Sequence, residues 1–170
     1  MKKLALLLIG FTFTLSAVAQ EEGNPDDGKK VASLQLEDME GNVVNTADLG
    51  FEGPVIISFW ATWCSPCKKE LDALNEYYID LQDETNVKVI AVSIDDPRTV
   101  QQVVNTVNSQ AWEYDVYLDT NSDLRRAMGV NNVPHTMVYN SAGEVVYTSN
   151  KYAPGDEYHL MEVIREAAGE

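Results

Sequence analysis

The feature that most restricts the fold is a short apolar run followed at once by the chain's two cysteines. Residues 55–60 read Val-Ile-Ile-Ser-Phe-Trp, and Cys64 and Cys67 follow, three positions apart. The run is typical of a central strand covered on both faces. If a helix begins at the cysteines, the two sulfurs lie on one helical face, one turn apart. A disulfide at this spacing can open and close with little backbone movement, which favours redox chemistry.

Other uses of the cysteine pair stay open at this point. A structural bridge across so short a loop would contribute only about 2 kcal/mol. A chain of 170 residues can also bury a full core without it. A zinc site would need further ligands, and the two histidines, His135 and His159, are the candidates beside the cysteines. An inert disulfide in a binding module is a third alternative.

The N-terminus has the pattern of an export signal. Lys2 and Lys3 precede a mostly apolar run over residues 4–15, and a small-x-small site ends at Ala19. The pattern predicts a signal peptide over residues 1–19, cleaved after Ala19, and a periplasmic protein. An uncleaved membrane anchor is the alternative, although the apolar run is short for a spanning helix. Export would permit a stable disulfide.

The charge of the chain argues against some partners. The formal net charge is -15, with 27 acidic against 12 basic side chains. A surface of this sign disfavours binding to nucleic acids and to anionic membrane surfaces. We therefore expect no nucleic acid partner, and the cysteine analysis leads us to expect no metal.

Hydrophobic periodicity predicts one α/β domain over residues 31–168, behind a flexible polar linker over residues 20–30. The domain should contain a mixed central β-sheet flanked by helices. The predicted strands lie in an N-terminal hairpin over residues 31–44, at 55–60, 87–94 and 116–118, and in a second hairpin at 136–139 and 144–147. The predicted helices lie at 65–83, after a cap at Asp96-Pro97, at 122–128, and from Asp156 onward. The first helix should bury the stripe Leu71, Leu74, Tyr78 and Leu81.

The stretch Phe-Trp-Ala-Thr-Trp-Cys-Ser-Pro-Cys-Lys-Lys-Glu at residues 59–70 resembles the thioredoxin superfamily, and within it the exported TlpA/ResA type. The N-terminal hairpin, an inserted helix-strand segment over residues 97–118, and Val-Pro-His-Thr at 133–136 support this subgroup. The resemblance covers residues 31–168. It implies a thioredoxin-like fold and thiol-disulfide oxidoreductase activity. It also implies a Cys64–Cys67 disulfide as the redox group, without another cofactor.

Two positions depart from the family pattern. Thioredoxin has a buried aspartate six residues before its first active-site cysteine, whereas this chain has Ser58. The proton-handling role of that aspartate therefore cannot be assigned to Ser58. Many members also have a proline five residues after the second cysteine, where this chain has Asp72. We therefore predict a straighter active-site helix.

The resemblance implies catalytic roles for three residues. Cys64 would be the attacking thiolate, at a strand-to-helix junction where the helix dipole and free amides favour a negative sulfur. Cys67, one turn later and less exposed, would resolve the mixed disulfide. Glu70 leans toward the buried stripe, where desolvation would raise its pKa and allow proton exchange with Cys67. A solvated glutamate beside two lysines is the alternative reading of Glu70.

The resemblance also implies a surface that binds the substrate. Trp63, Ser65 and Pro66 around the cysteines would contact the client protein. Val133 would offer its backbone, and Pro134 would be cis and face the disulfide. We assign no catalytic role to His135, and we place Phe59 and Trp60 in the core.

The implied partners are disulfide-containing protein substrates and a membrane protein that donates electrons through thiols. Reduction of client disulfides is favoured, with cytochrome c maturation as one use, because most of this subgroup are reductants. The motif itself leaves the direction open, since the potentials of such sites span about −270 to −120 mV. An oxidase or isomerase is the main alternative. A thiol peroxidase is disfavoured by Trp63 and by the nearness of Cys67 to Cys64.

Overall fold

The computed structural model of the protein describes residues 28–50 and 52–169. The strands are β1 Gln35–Asp38, β2 Val43–Asn45, β3 Val55–Trp60, β4 Lys88–Ser93, β5 Asp115–Leu118, β6 His135–Tyr139 and β7 Val145–Ser149. The α-helices are α1 Ser65–Thr85, α2 Val100–Gln110, α3 Asp123–Ala127 and α4 Asp156–Ala168, and a 3-10 turn spans Thr46–Asp48. The predicted signal peptide and residues 20–27 of the predicted linker lie outside the described residues.

The strands form one mixed sheet in the order β2-β1-β5-β4-β3-β6-β7. Strand β4 lies parallel to both β3 and β5, and the outer strands pair antiparallel. The apolar run of β3 is buried along its whole length, as expected for a central strand. The predicted mixed sheet with flanking helices is confirmed.

The N-terminal hairpin and the inserted segment share one edge of the sheet. Strand β1 pairs with β2 on one side and with β5 of the insert on the other. Strand β1 begins at Gln35, later than the predicted hairpin start, and extends to Asp38. The turn after it is closed by Asp38, whose carboxylate accepts hydrogen bonds from the backbone N–H groups of Glu40 and Asn42.

The active-site helix α1 begins and ends on recognisable caps. Cys64 is its N-cap residue, and Pro66 stands in the first turn, where a missing N–H costs nothing. The helix ends at Thr85 and is capped by Asn86, which takes a left-handed conformation and donates its N–H to the Gln82 carbonyl. The predicted stripe of Leu71, Leu74, Tyr78 and Leu81 is buried. The predicted core residues Phe59 and Trp60 are fully buried.

The start of α2 differs from the prediction. We expected Asp96-Pro97 to cap this helix, but it begins at Val100 with Thr99 at the cap position. Asp96 instead closes a turn: its carboxylate accepts from the Arg98 N–H, and its carbonyl accepts from the Thr99 N–H. An aspartate before a proline serves a turn as well as a helix cap, so the sequence alone does not distinguish them.

The chain contacts the sheet before the predicted domain start at residue 31. The Gly28 N–H donates to the Val145 carbonyl at 3.0 Å, and the Lys29 carbonyl accepts from the Val145 N–H at 2.9 Å. Lys30 forms an isolated antiparallel bridge with Glu144. Residues 28–30 therefore pair with the start of the edge strand β7.

Candidate active site

The two cysteines lie where β3 passes into α1. They are joined by a disulfide, with 5.3 Å between their Cα atoms. The Cys64 Sγ accepts a hydrogen bond from the Cys67 N–H at 3.3 Å, so a sulfur takes the place of the usual capping oxygen. Cys64 is 5% exposed and Cys67 is fully buried. The predicted spacing on one helical turn is confirmed, and Cys64 is the more exposed of the two residues.

The loop that carries Cys64 is held by Asp95, a residue that sequence analysis did not identify. Its buried carboxylate accepts from the Thr62 N–H at 2.8 Å and from the Thr62 hydroxyl at 2.6 Å. The Ser93 hydroxyl also donates to it, at 2.9 Å. Asp95 follows β4, and β4 lies beside β3. The chain that leads from β4 into the insert is therefore hydrogen-bonded to the cysteine loop at this end of the sheet. The sequence predicted only a helix cap at Asp96-Pro97 and gave no sign of the contact between Asp95 and Thr62.

The predicted substrate-contact residues gather at this same end of the sheet. Trp63 is 71% exposed beside the disulfide, and Ser65 and Pro66 are also exposed. Val133 is half-buried, and the Val133–Pro134 peptide bond is cis, as expected. The next residue of that segment pairs in register with Phe59, near the end of β3.

Glu70 lies on the buried face of α1, as predicted from its spacing. It is 4% exposed, and its Oε2 accepts from the Thr136 hydroxyl at 2.9 Å and from the Ser58 hydroxyl at 3.3 Å. Burial raises the pKa of Glu70 from 4.5 to about 7, even though the two hydroxyl hydrogen bonds act in the opposite direction. The negative charge of Asp156 contributes further to the rise in this pKa. A carboxyl with this pKa is divided between its acid and base forms near neutral pH.

Thr136 completes the surroundings of Glu70 and was not predicted as a site residue. It pairs directly with Ser58 across β6 and β3, and their hydroxyl oxygens lie 3.1 Å apart. Paired residues in neighbouring strands point to the same face, so both hydroxyls reach the carboxyl of α1. Ser58 therefore has a polar role at the position of the family's aspartate, as a hydrogen-bond donor to Glu70. No local sequence signal marks Thr136, because its role depends on strand register.

Two other positions discussed from the sequence, His135 and Asp72, make packing and hydrogen-bond contacts. His135 is buried and lies edge-on to Phe59, with 6.4 Å between ring centroids. Helix α1 continues through Asp72, whose exposed carboxylate accepts a hydrogen bond from the Trp112 indole N–H at 2.8 Å.

Across residues 28–50 and 52–169, no group of three or more His, Cys, Asp or Glu is placed to hold a metal. Over the same residues, no helix has the length and apolar character needed to span a bilayer.

Comparison with known proteins agrees with this geometry. The model of the AhpC/TSA family matches residues 28–148. The thiol-disulfide oxidoreductase ResA of Bacillus thuringiensis is 32% identical over 138 residues, which are 81% of this chain and 77% of that protein. The sporulation thiol-disulfide oxidoreductase A of Bacillus subtilis is 27% identical over 163 residues, covering 95% of this chain and 94% of that protein.

A solved structure shows the same fold. The uncharacterized thioredoxin-like protein from Porphyromonas gingivalis superposes with a TM-score of 0.73 at 41% identity, covering 82% of this chain and 92% of that one. Both this fold and the disulfide at the start of α1 are those expected of the relatives named above. The chain therefore belongs to the AhpC/TSA family, as a thiol-disulfide oxidoreductase of the ResA type with a thioredoxin-like fold.

Proposed function

We propose that this oxidoreductase reduces disulfides in client proteins, with Cys64 as the attacking and Cys67 as the resolving cysteine. The observation that carries this assignment is the difference in exposure between the two cysteines. Cys64 follows the exposed Trp63 and keeps some exposure, whereas Cys67 is fully buried behind it. A bulky disulfide can approach only the outer sulfur. The helix start and the Cys67 N–H favour negative charge on Cys64, which a nucleophile requires.

The reaction proceeds in two exchanges. The Cys64 thiolate attacks one sulfur of the client disulfide; that S–S bond breaks, and the other client sulfur leaves as a thiolate that takes up a proton. Cys67 then gives its proton to the Glu70 carboxylate and attacks the Cys64 sulfur, which releases the second client thiolate. The client gains two electrons, and the protein ends as the Cys64–Cys67 disulfide.

The surroundings of Glu70 support the reducing direction. A dithiol becomes a strong oxidant when its thiolate form is strongly stabilised. Here the buried Glu70 carboxyl lies one helical turn after Cys67, and its negative charge, once formed, disfavours a second negative charge nearby. A less stabilised thiolate makes the disulfide form relatively more favourable, which corresponds to a better reductant. A measured potential close to that of strong oxidants would instead favour the oxidase alternative.

The client would dock on the exposed surface around the disulfide. Trp63, Ser65 and Pro66 offer side chains there, while Val133 and Pro134 offer a backbone segment at the same end of the sheet. Such a surface combines one large aromatic side chain with backbone groups, which suits an extended peptide around a disulfide. We expect Trp63→Ala to slow reaction with protein disulfides and to leave reaction with a small disulfide almost unchanged.

Export and a membrane electron donor complete the proposal. The pattern of residues 1–19 supports export with cleavage after Ala19, and an exported reductant needs electrons from a dithiol donor in the membrane. Apocytochrome c is the client that we propose, from the resemblance to the TlpA/ResA type. Mass spectrometry of the exported protein should find Gln20 at its N-terminus; an intact N-terminus would favour the membrane-anchored alternative.

The test uses Cys67→Ser in the producing cell. Without the resolving sulfur, mixed disulfides should accumulate on Cys64, and their protein components identify the client and the donor. The matched control is Cys64→Ser, because the buried Cys67 should trap far less. Equal trapping by both variants would contradict the assignment of roles. No trapping by either, together with a disulfide that resists mild reductant, would favour an inert binding module.

A further inference from the structure

A small cavity lies behind Glu70, beside the first turn of α4. Its volume is about 10 Å³, which is close to the space of one water molecule. It is lined by Glu70 and Thr136 on the inside, by Tyr147 and Ser149 of β7, by Lys151 and Tyr152 of the following loop, and by Leu74, Asp156, Glu157 and Leu160 of the helices. None of the proposed client-contact residues lines it.

Glu70 lines this cavity, and among the described residues its hydrogen bonds leave one carboxylate oxygen without a protein donor. Both hydroxyl donors, Thr136 and Ser58, are bound to Oε2. Among the described residues, no group donates a hydrogen bond to Oε1. A carboxylate oxygen without a protein donor is expected to bind water when a polar space of sufficient size adjoins it.

The outer wall of the cavity is polar and is hydrogen-bonded within itself. The Tyr152 hydroxyl donates to the Glu157 Oε2 at 2.9 Å, and the same oxygen accepts from the Gly155 N–H. Asp156 is exposed at the start of α4, and its carboxylate accepts from the Ala153 N–H at 2.8 Å. These contacts hold the loop between β7 and α4 against the cavity, with acidic groups toward solvent.

We propose that this cavity is the route by which Glu70 exchanges protons with solvent, through one bound water, and that Asp156 is a positioning residue at its outer end. The inference rests on the proposed role of Glu70 as proton acceptor for Cys67. When a client covers the disulfide, Cys67, which is fully buried, and Glu70, which is 4% exposed, are closed off from solvent on that side. The cavity provides a path beside α4 that a docked client leaves free. The protein then completes the proton step while its client remains bound.

The titratable and charged groups around Glu70 come from five parts of the chain. They are Cys67 on α1, Tyr114 before β5, Tyr147 on β7, Lys151 and Tyr152 in the loop after β7, and Asp156 and Glu157 on α4. The cysteine is held in the disulfide in this structure. Burial raises the pKa of Tyr114 and of Tyr152, so both phenols stay neutral while Glu70 titrates. Lys151 and Asp156 are exposed, so solvent screens their charges.

Two variants test the cavity without touching the residues of the disulfide exchange. Leu160→Phe should fill the space and expel the water, and Leu160→Met is the control of similar volume. Asp156→Asn removes the charge and keeps an acceptor for the Ala153 N–H, and Glu166→Gln is its control on an exposed part of α4. The Asp156 pair keeps the test decisive if Leu160→Phe does not fold.

The readout is the ¹³C resonance of the Glu70 carboxyl, followed through its titration in the oxidised protein. Leu160→Phe should shift the Glu70 pKa upward and broaden the resonance near its midpoint, because proton exchange is slower. Asp156→Asn should also broaden the resonance near its midpoint, because the group at the outer end of the route loses its charge; a lower pKa without broadening would show only the loss of a nearby negative charge and would contradict a role in the route. Both controls should match the parent protein. Parent-like titration and line width in both test variants would overturn the proposal.

The pH titration of the Cys67 thiol in the reduced protein, followed by its ¹³Cβ resonance, separates this proposal from the proposed function. If Glu70→Gln changes this titration but the cavity variants leave Glu70 unaffected, the proton role stands and the cavity route is wrong. If the cavity variants change the Glu70 resonance but Glu70→Gln leaves the Cys67 titration unchanged, the route stands and the proton role in the exchange is wrong.

Discussion

Replacing Glu70 by glutamine should stabilise the oxidised protein at alkaline pH and leave its stability little changed at acidic pH. In the folded protein, burial raises the pKa of Glu70 from 4.5 to about 7, whereas the unfolded chain keeps the ordinary value. Between these two values the folded state retains a proton that the unfolded state has released. The free energy of unfolding therefore falls as the pH rises from about 4.5 to about 7.

The size of the effect follows from the two pKa values. Each pH unit between them corresponds to about 1.4 kcal/mol, so full ionisation of Glu70 costs about 3 kcal/mol. Glutamine is neutral at every pH, and its carbonyl oxygen can still accept the Thr136 hydroxyl hydrogen bond. The variant should therefore exceed the parent by about 3 kcal/mol above about pH 8, and by almost nothing below about pH 4.

Urea unfolding of the oxidised protein, followed by tryptophan fluorescence at several pH values, measures this difference. Glu166→Gln is the matched control, since it removes the same charge from an exposed position. Its free energy of unfolding should follow the parent at each pH. The reasoning is refuted if Glu70→Gln and the parent differ by the same free energy at acidic and alkaline pH. Such a result would mean that Glu70 ionises alike in the folded and unfolded states.

Four further substitutions test other contacts of the structure. Thr136→Val should raise the pKa of Glu70, because it removes the shorter of the two hydroxyl hydrogen bonds, and Ser58→Ala should raise this pKa less. Carboxyl ¹³C titration measures both shifts, and a larger shift for Ser58→Ala would contradict the predicted order. Asp95→Ala should lower the free energy of unfolding by about 1–3 kcal/mol, because the half-buried donors of Thr62 and the buried hydroxyl of Ser93 lose their acceptor; a loss no larger than that of Asp95→Asn in urea unfolding would contradict this. Gly53→Ala should cost about 1–3 kcal/mol, since its Cβ would lie 2.5 Å from the Asn86 carbonyl oxygen; an unchanged urea midpoint would show that this backbone can move aside.

The buried stripe of α1 and the cysteine spacing were predictable because they depend on neighbours within one or two helical turns. Leu71, Leu74 and Tyr78 repeat at helical spacing and are buried as predicted. The start of α2 was predicted wrongly because Asp96 can cap a helix or close a turn, and the two uses share one local pattern. Whether the cap or the turn forms depends on the direction in which the chain leaves β4 toward Thr99, and that direction is set by the tertiary structure.

The fold and the cysteine pair could thus be predicted, but most of the polar network behind the pair could not. Asp95 reaches Thr62 across 33 positions of sequence, and Thr136 reaches Glu70 across 66. Contacts of this kind depend on which strands are neighbours and in which register they pair. A shift of one residue in the pairing of β3 with β6 would turn the Thr136 hydroxyl to the opposite face of the sheet.

By itself, the sequence determined the redox pair, the buried strand before it, the amphipathic helix after it and the side of that helix on which Glu70 lies. These features follow from local spacing and side-chain chemistry, so the order of residues is enough to specify them. The tertiary structure decided what surrounds that carboxyl: two hydroxyls from paired strands, a water-sized cavity and Asp156 from α4. A pKa depends on the solvent and charges brought around a group by folding, and for this reason the near-neutral titration of Glu70 belongs to the fold.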